Sequence, residues 1–360
     1  KLAVDPNTGQ PMIDREPFVK SSNNFVYFAG VPLLYWPTFS TSLERPAYYV
    51  SGIRVKNDST FGTQVMLDFD LFQLFGVDNP PAGVEWELST DYLSSRGPAI
   101  GTELNYNVDS FFGVAGPVVG FLDAWVIDDK GLDTLGQDRR DIVPEKRTRG
   151  RLLLRHRHYL RNDSEFIAEA GWISDRNFLE QYLENEWDRD VNHRTALRLR
   201  KYLRNQMFDL SAKGQVNNFE TEEERLPLLE HYVLGSSLLG DWLTYSAHSK
   251  VGYERLNVGT LPDDPQQAAL ISPVPGEVNG SGAVAATRQE LALPINLGPV
   301  VIVPNVSGDA SYYGDAVDGD SLTRLVGQAG IRTSLQMWRV DPTVQSSLLN
   351  VRGLAHKMEW

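Results

Sequence analysis

Apolar and polar residues alternate along much of this chain, the pattern of strands with one greasy side and one wet side. In 64–71, Val65, Leu67, Phe69 and Leu71 share one face; Gln64, Asp68 and Asp70 share the other, with Met66 as its one apolar member. In 86–92, Trp86, Leu88, Thr90 and Tyr92 oppose Glu87, Ser89 and Asp91. Beyond the Arg96-Gly97 turn, Ile100, Thr102, Leu104 and Tyr106 oppose Gly101, Glu103 and Asn105. Further alternating runs lie at 150–160, 164–172, 196–204, 206–216, 241–255 and 331–339. The stretch 348–360 also reads as a strand, with Leu354, His356, Met358 and Trp360 on one face. A soluble sandwich shows alternation too, with its apolar side turned inward. Here, however, nearly every run keeps one polar side, which a single closed sheet satisfies most simply. The pattern therefore predicts an all-β fold, an antiparallel meander of a large β-barrel, with roughly a dozen to sixteen strands.

The links between the runs sort by length. Ser94–Gly97 and Asn162-Asp163 are tight, whereas 129–149 is long and charged, and 257–283 is long and rich in proline and glycine. Short turns on one rim and long loops on the other are the asymmetry of outer-membrane barrels. Another long loop, 174–192, departs from period two: Phe178, Leu179, Tyr182, Leu183 and Glu186 follow helical spacing. A short surface helix is expected there, capped by Ser174 or Asp175.

Composition narrows the class. The 360 residues include 30 glycines and 20 prolines, which suits many strands joined by turns. A formal net charge of −13 provides no basic footprint for nucleic acid. Without cysteine, neither a disulfide framework nor a thiolate metal site can be built. The densest apolar run, Pro299–Pro304, is far short of the ~18–20 residues of a spanning helix, but barrel strands span with ~9–11 tilted residues. The chain begins at Lys1 with neither an initiator Met nor a signal peptide, and reads as an excerpt of a longer protein.

Candidate chemistry is sparse. Arg151, Arg155 and Arg157 share one face of a predicted strand, and Arg198, Arg200 and Arg204 repeat the pattern against Leu197, Leu199 and Leu203. Two readings stand: a solvated interior with scattered ion pairs, or guanidinium forks that meet phosphate or carboxylate groups of a ligand. His156 and His158 have the spacing of two metal ligands on one strand face, but no third ligand accompanies them. No nucleophile elbow, phosphate loop or dinucleotide fingerprint occurs. No enzymatic activity and no cofactor are expected.

One stretch carries more. Asn23 to Pro37, with Val26-Tyr27, Gly30-Val31-Pro32-Leu33-Leu34-Tyr35-Trp36-Pro37, is dense in aromatic and β-branched residues and is broken by two prolines. It resembles the junction between periplasmic domain and barrel in the LptD family of LPS-assembly proteins (organic solvent tolerance proteins). The resemblance continues, in the family's order, through Ser51-Gly52, Asp91–Gly97, Glu103-Leu104-Asn105-Tyr106 and Ile173–Leu179. It departs in three places. The family's disulfides have no cysteines here, no proline follows Ser51-Gly52, and Asp68–Gly76 stands where a Pro-Tyr-Tyr-Trp-type motif is usual.

The resemblance implies residues 1–45 as the end of a periplasmic β-jellyroll and 46–360 as part of a transmembrane barrel. The barrel would pass lipopolysaccharide through its interior and out through a lateral gate in the outer membrane. Pro32, Pro37 and Pro46 would weaken the gate by deleting ladder donors. Asp91, Glu103, Arg151, Arg155, Arg157, Arg198 and Arg200 would line the polar path. Lipopolysaccharide, outer-membrane lipids, an LptE-type plug lipoprotein and LptA-type bridge proteins would be the partners. Two other classes remain open on the residues: a porin- or receptor-like barrel, and a secreted β-rich carbohydrate-active enzyme. An excerpt of a larger barrel should leave 348–360 unpaired with the segment near 33–56.

Overall fold

The period-two stretches become strands because each can turn its apolar side chains to one face while neighbours on both sides satisfy its backbone. A computed structural model describes residues 18–28, 31–42, 49–77, 79–136, 139–269, 271, 274, 276–315 and 319–359. Its first two strands, β1 (Phe18–Phe28) and β2 (Val31–Ser42), form a two-stranded antiparallel hairpin of their own. Pro32 and Pro37 lie in β2, with Pro32 opposite Tyr27 next to a register shift. Pro46 lies outside the described residues.

The remaining strands make one 16-stranded sheet. In chain order they are β3 (Val50–Asp58), β4 (Gly62–Asp70), β5 (Val84–Leu93), β6 (Gly97–Phe111), β7 (Val114–Asp128) and β8 (Thr148–Leu160). Then follow β9 (Ser164–Ile173), β10 (Thr195–Leu203), β11 (Gln206–Gly214), β12 (Glu222–Leu238), β13 (Leu243–Asn257) and β14 (Gly280–Ala292). The last four are β15 (Ile295–Leu297), β16 (Val300–Tyr313), β17 (Leu322–Ser346) and β18 (Val351–Glu359). Sequence neighbours pair throughout, except that β14 and the short β15 both pair with β16. Among the described residues the order ends at β3 and at β18, which pair with β4 and β17 respectively. The meander is as the alternation predicted, and the sheet is not closed.

The chain divides into two compact units, Lys1–Tyr106 with Phe121–Arg151, and Asn107–Gly120 with Leu152–Trp360. In the second, the turn at Asn162 and Asp163 takes positive φ at both residues, the conformation that matches the twist of a tight hairpin. At the opposite ends of these strands the connections lengthen, to 174–194 between β9 and β10 and 258–279 between β13 and β14. The loop foreseen at 257–283 is therefore shorter by five residues, because β13 runs on to Asn257 and β14 already begins at Gly280. Gly280-Ser281-Gly282 has no side chains with which to display alternation.

Among the described residues four short helices interrupt the strands. α1 (Leu71–Leu74) is capped by Asp70, whose carboxylate accepts from the Gln73 amide at 3.0 Å. α2 (Phe178–Tyr182) and α3 (Glu184–Asp188) occupy the stretch of helical spacing, and α4 is Pro265–Ala268. The cap of α2 falls on Asn177, not on Ser174 or Asp175, and its side chain makes no capping bond. The Asp175 carboxylate, two residues earlier, instead accepts from the amide of Asn177 itself. Nor does α2 lie loose on the surface: Phe178, Leu179 and Gln181 are buried. Among the described residues no helix is long and apolar enough to cross a membrane.

Candidate functional site

Register places one row of side chains across seven strand gaps of the second unit. Glu165, Arg200, Asp209, Glu230, Lys250, Ala286, Ser311 and Arg324 stand successively opposite one another from β9 to β17. One residue further along each strand, side chains point to the other face. There the row reads Phe166, Leu199, Leu210, Leu229, Val251, Ala285, Tyr312 and Thr323. The sheet thus has a charged face and an apolar face, and the apolar one is open. Leu199 is 46% exposed, Val251 55% and Leu325 78%.

On the charged face the predicted arginines meet carboxylates. Arg157 Nε lies 3.0 Å from Glu165, and Arg200 reaches both Glu165 at 3.7 Å and Asp209 at 2.9 Å. Arg198 approaches the second oxygen of Asp209 at 3.4 Å. Three of the sequence candidates therefore converge on two carboxylates that composition alone did not single out. Arg155 instead donates to the Asn192 carbonyl at 3.4 Å. Further along, Glu230 pairs with His248 at 3.0 Å, and His248 stacks on Tyr232 with centroids 4.1 Å apart.

In the first unit the remaining candidates have separate partners. Asp91 accepts from the Trp125 indole at 2.8 Å, while its other carboxylate oxygen is buried without a hydrogen-bond partner among the described residues. Arg151 pairs with Asp123. Glu103 stands directly opposite Glu87, a like-charge pair, and accepts from Asn105 at 2.7 Å.

The densest electrostatics of that unit lie where the sequence showed only a charged loop. Arg96 in the β5–β6 turn, Asp129 just after β7, Asp133 in the following loop and Arg149 at the start of β8 form a sealed quartet. Arg149 Nη1 lies 2.9 Å from Asp129 and 2.6 Å from Asp133; Arg96 Nη1 lies 3.2 Å from each. All four side chains are at most 1% exposed. Burial pushes the Asp133 carboxyl up from its ordinary range, against the pull of Arg149 and Arg96. Gly131 lets the loop close, because a Cβ there would sit 2.4 Å from Arg96 Cδ and 2.9 Å from the Ser95 carbonyl. No single residue type or spacing announces such a cluster, since its members come together only after β5 to β8 have paired.

His156 and His158 are buried, and the His156 ring packs against Phe111 and Phe166. Among the described residues no group of three or more metal-ligating side chains is placed to hold an ion. No protein-family model matches the chain, and no curated protein matches it either.

Proposed function

We propose that this chain forms part of the wall of an outer-membrane barrel of the LptD kind, which moves lipopolysaccharide into the outer leaflet. The observation that carries the reading is the two-faced sheet. Apolar side chains left open on one face, strand after strand, suit contact with lipid tails, and charged side chains on the other suit a water-filled interior. Closed barrels leave no unpaired edge in lipid, so the free edges of β3 and β18 would be covered in the membrane, by one another or by further strands. The junction-like stretch Asn23–Pro37 and the tags that follow it point to the transport family rather than to barrels at large. On this reading the glycolipid's sugars and phosphates cross the polar face, a plug lipoprotein occupies the interior, and bridge proteins deliver the lipid from the periplasm. No step requires bond making, so the chain is a conduit.

Depletion tests it. Loss of the protein should leave newly made lipopolysaccharide inaccessible to modification at the cell surface, with the protein itself recovered in the outer-membrane fraction. Normal surface delivery after depletion would remove the transport reading. A porin-like barrel is the second reading, favoured by one observation: Arg151, Arg157, Arg198 and Arg200 are all engaged by carboxylates of the sheet itself. Steady single-channel conductance in planar bilayers, with surface delivery unaffected, would favour it.

A further inference from the structure

Between β13 and β17 the charged face changes character. Lys250 and Arg324 are separated in their row by Ala286 and Ser311, two small side chains flanked by two long cationic ones. The gap is a cavity of about 400 Å³. Two residues along the strands, Arg288 borders it on one side and Tyr313 on the other.

The hydrogen-bonding capacity of this cavity is unbalanced. Among the described residues that line it the one carboxylate, Asp309, is already held through both oxygens by Arg288 Nη1, at 3.1 and 2.9 Å. Lys250 pairs with Glu254 at 3.1 Å, outside the cavity. Among the described residues the Arg324 guanidinium and the Ser311 and Tyr313 hydroxyls have no hydrogen-bond or ion-pair partner. The remaining groups are therefore mostly donors around a space with positive charge on both sides, in a chain whose net charge is −13. Donors that outnumber acceptors select an anion rich in acceptor oxygens, and a phosphate monoester offers three with a charge of about −1.5 to −2. Guanidinium forks match that geometry.

We propose that Arg324, Lys250, Ser311 and Tyr313 form an oxyanion subsite for a phosphate monoester. The assignment to a lipid-borne phosphate rests on reading this face as a glycolipid path; binding of the phosphate is tested apart from it. The full chain in detergent micelles is titrated with bis-phosphorylated lipid A, with the same lipid dephosphorylated, and with inorganic phosphate. Arg324→Gln should weaken the phosphorylated lipid about tenfold and leave the dephosphorylated lipid unchanged, and adding Lys250→Gln should weaken it further. Because Arg324 has no partner among the described residues, its loss removes no such contact, and unchanged circular dichroism serves as the control. If inorganic phosphate binds as tightly as the lipid and loses affinity in the variant, the subsite stands and its ligand is free phosphate. Equal affinity of both proteins for the phosphorylated lipid overturns the subsite. Should depletion abolish surface delivery while that equality holds, the subsite falls and transport survives; normal delivery with variant-sensitive binding gives the reverse.

Discussion

At the β7–β8 end of the first unit two arginines and two aspartates are sealed from water, whereas across β8 to β11 three arginines that water reaches in part hold two carboxylates, Glu165 and Asp209. Arg149 and Asp133 are fully buried; Arg200 keeps 23% of its side-chain exposure and Arg157 48%. Distances in the two sets overlap, so geometry does not separate them. What separates them is the alternative available to each charge when its partner is lost. A sealed arginine has nowhere to turn, while an open one is taken up by water.

The largest effect follows from the sealed set. Arg149→Met should cost about 3–5 kcal/mol, because Asp129 and Asp133 would lose one of the two buried guanidiniums that balance them. Denaturant unfolding of the full chain in detergent measures it. Replacing all four members with apolar residues of similar volume should recover most of the loss, since the desolvation cost disappears together with the attraction. A single-variant cost near zero would mean that water enters the quartet.

Next comes the apolar face, which tests the surroundings of the open set. Leu199 stands beside Arg200 on β10 but points the other way, into open space. If lipid fills that space near the bilayer midplane, Leu199→Arg should cost about 2–4 kcal/mol in refolding from denaturant into lipid vesicles. In water the same change would be nearly free. An unchanged midpoint would therefore place this face outside the membrane.

These contrasts also mark how far the sequence could be read. Period two along β4, β5, β6, β8 and β10 exposed the strands and their faces, because strand geometry alone fixes which side a residue takes. It also found Arg157, Arg198 and Arg200 on one face. Their partners were hidden, since Glu165 and Asp209 are ordinary wet-face carboxylates until register sets them opposite Arg200. The quartet was hidden more deeply. Arg96 and Asp133 are 37 residues apart and neither belongs to an alternating run, so nothing local distinguishes them from solvated loop charges. The Lys250–Arg324 cavity depends on β14 and β16, whose small residues gave no period to read.

Within the open set, Arg200→Gln should cost less than Arg149→Met, about 1–3 kcal/mol, because the buried carboxylates keep a second arginine each, Arg198 at Asp209 and Arg157 at Glu165. A double-mutant cycle with Asp209→Asn isolates the pair, and raising salt should shrink the coupling. A cost as large as that of Arg149→Met would show that this face is sealed after all. The quartet itself should respond to pH in a defined direction. Burial raises the Asp133 carboxyl, so its contribution to stability is complete below the ordinary carboxylate range and is lost as pH rises through the raised value. The stability gap between the wild type and Asp133→Asn should consequently move in favour of the variant from about pH 4 to about pH 7. Movement in the opposite direction would mean that the two guanidiniums outweigh burial.

The smallest effect is expected two residues from the largest. Arg147 precedes β8 and pairs with Asp128 at 2.6 Å, as short a contact as any in the quartet. Both partners face water, at 66% and 41% exposure, and Lys130 stands 3.9 Å from the same carboxylate. Loss of Arg147 therefore strands nothing: water and Lys130 take over Asp128, and the long side chain regains its rotamer freedom. Arg147→Gln should leave the unfolding midpoint unchanged within measurement scatter, at low and at high salt alike. Because Arg147 and Arg149 lie on one stretch and differ chiefly in burial, the pair of variants isolates exposure from sequence position and bond length. If both variants unfold together at lower denaturant, the loop 129–147 is held by its charges as a whole, and the sealed quartet has no special standing within it.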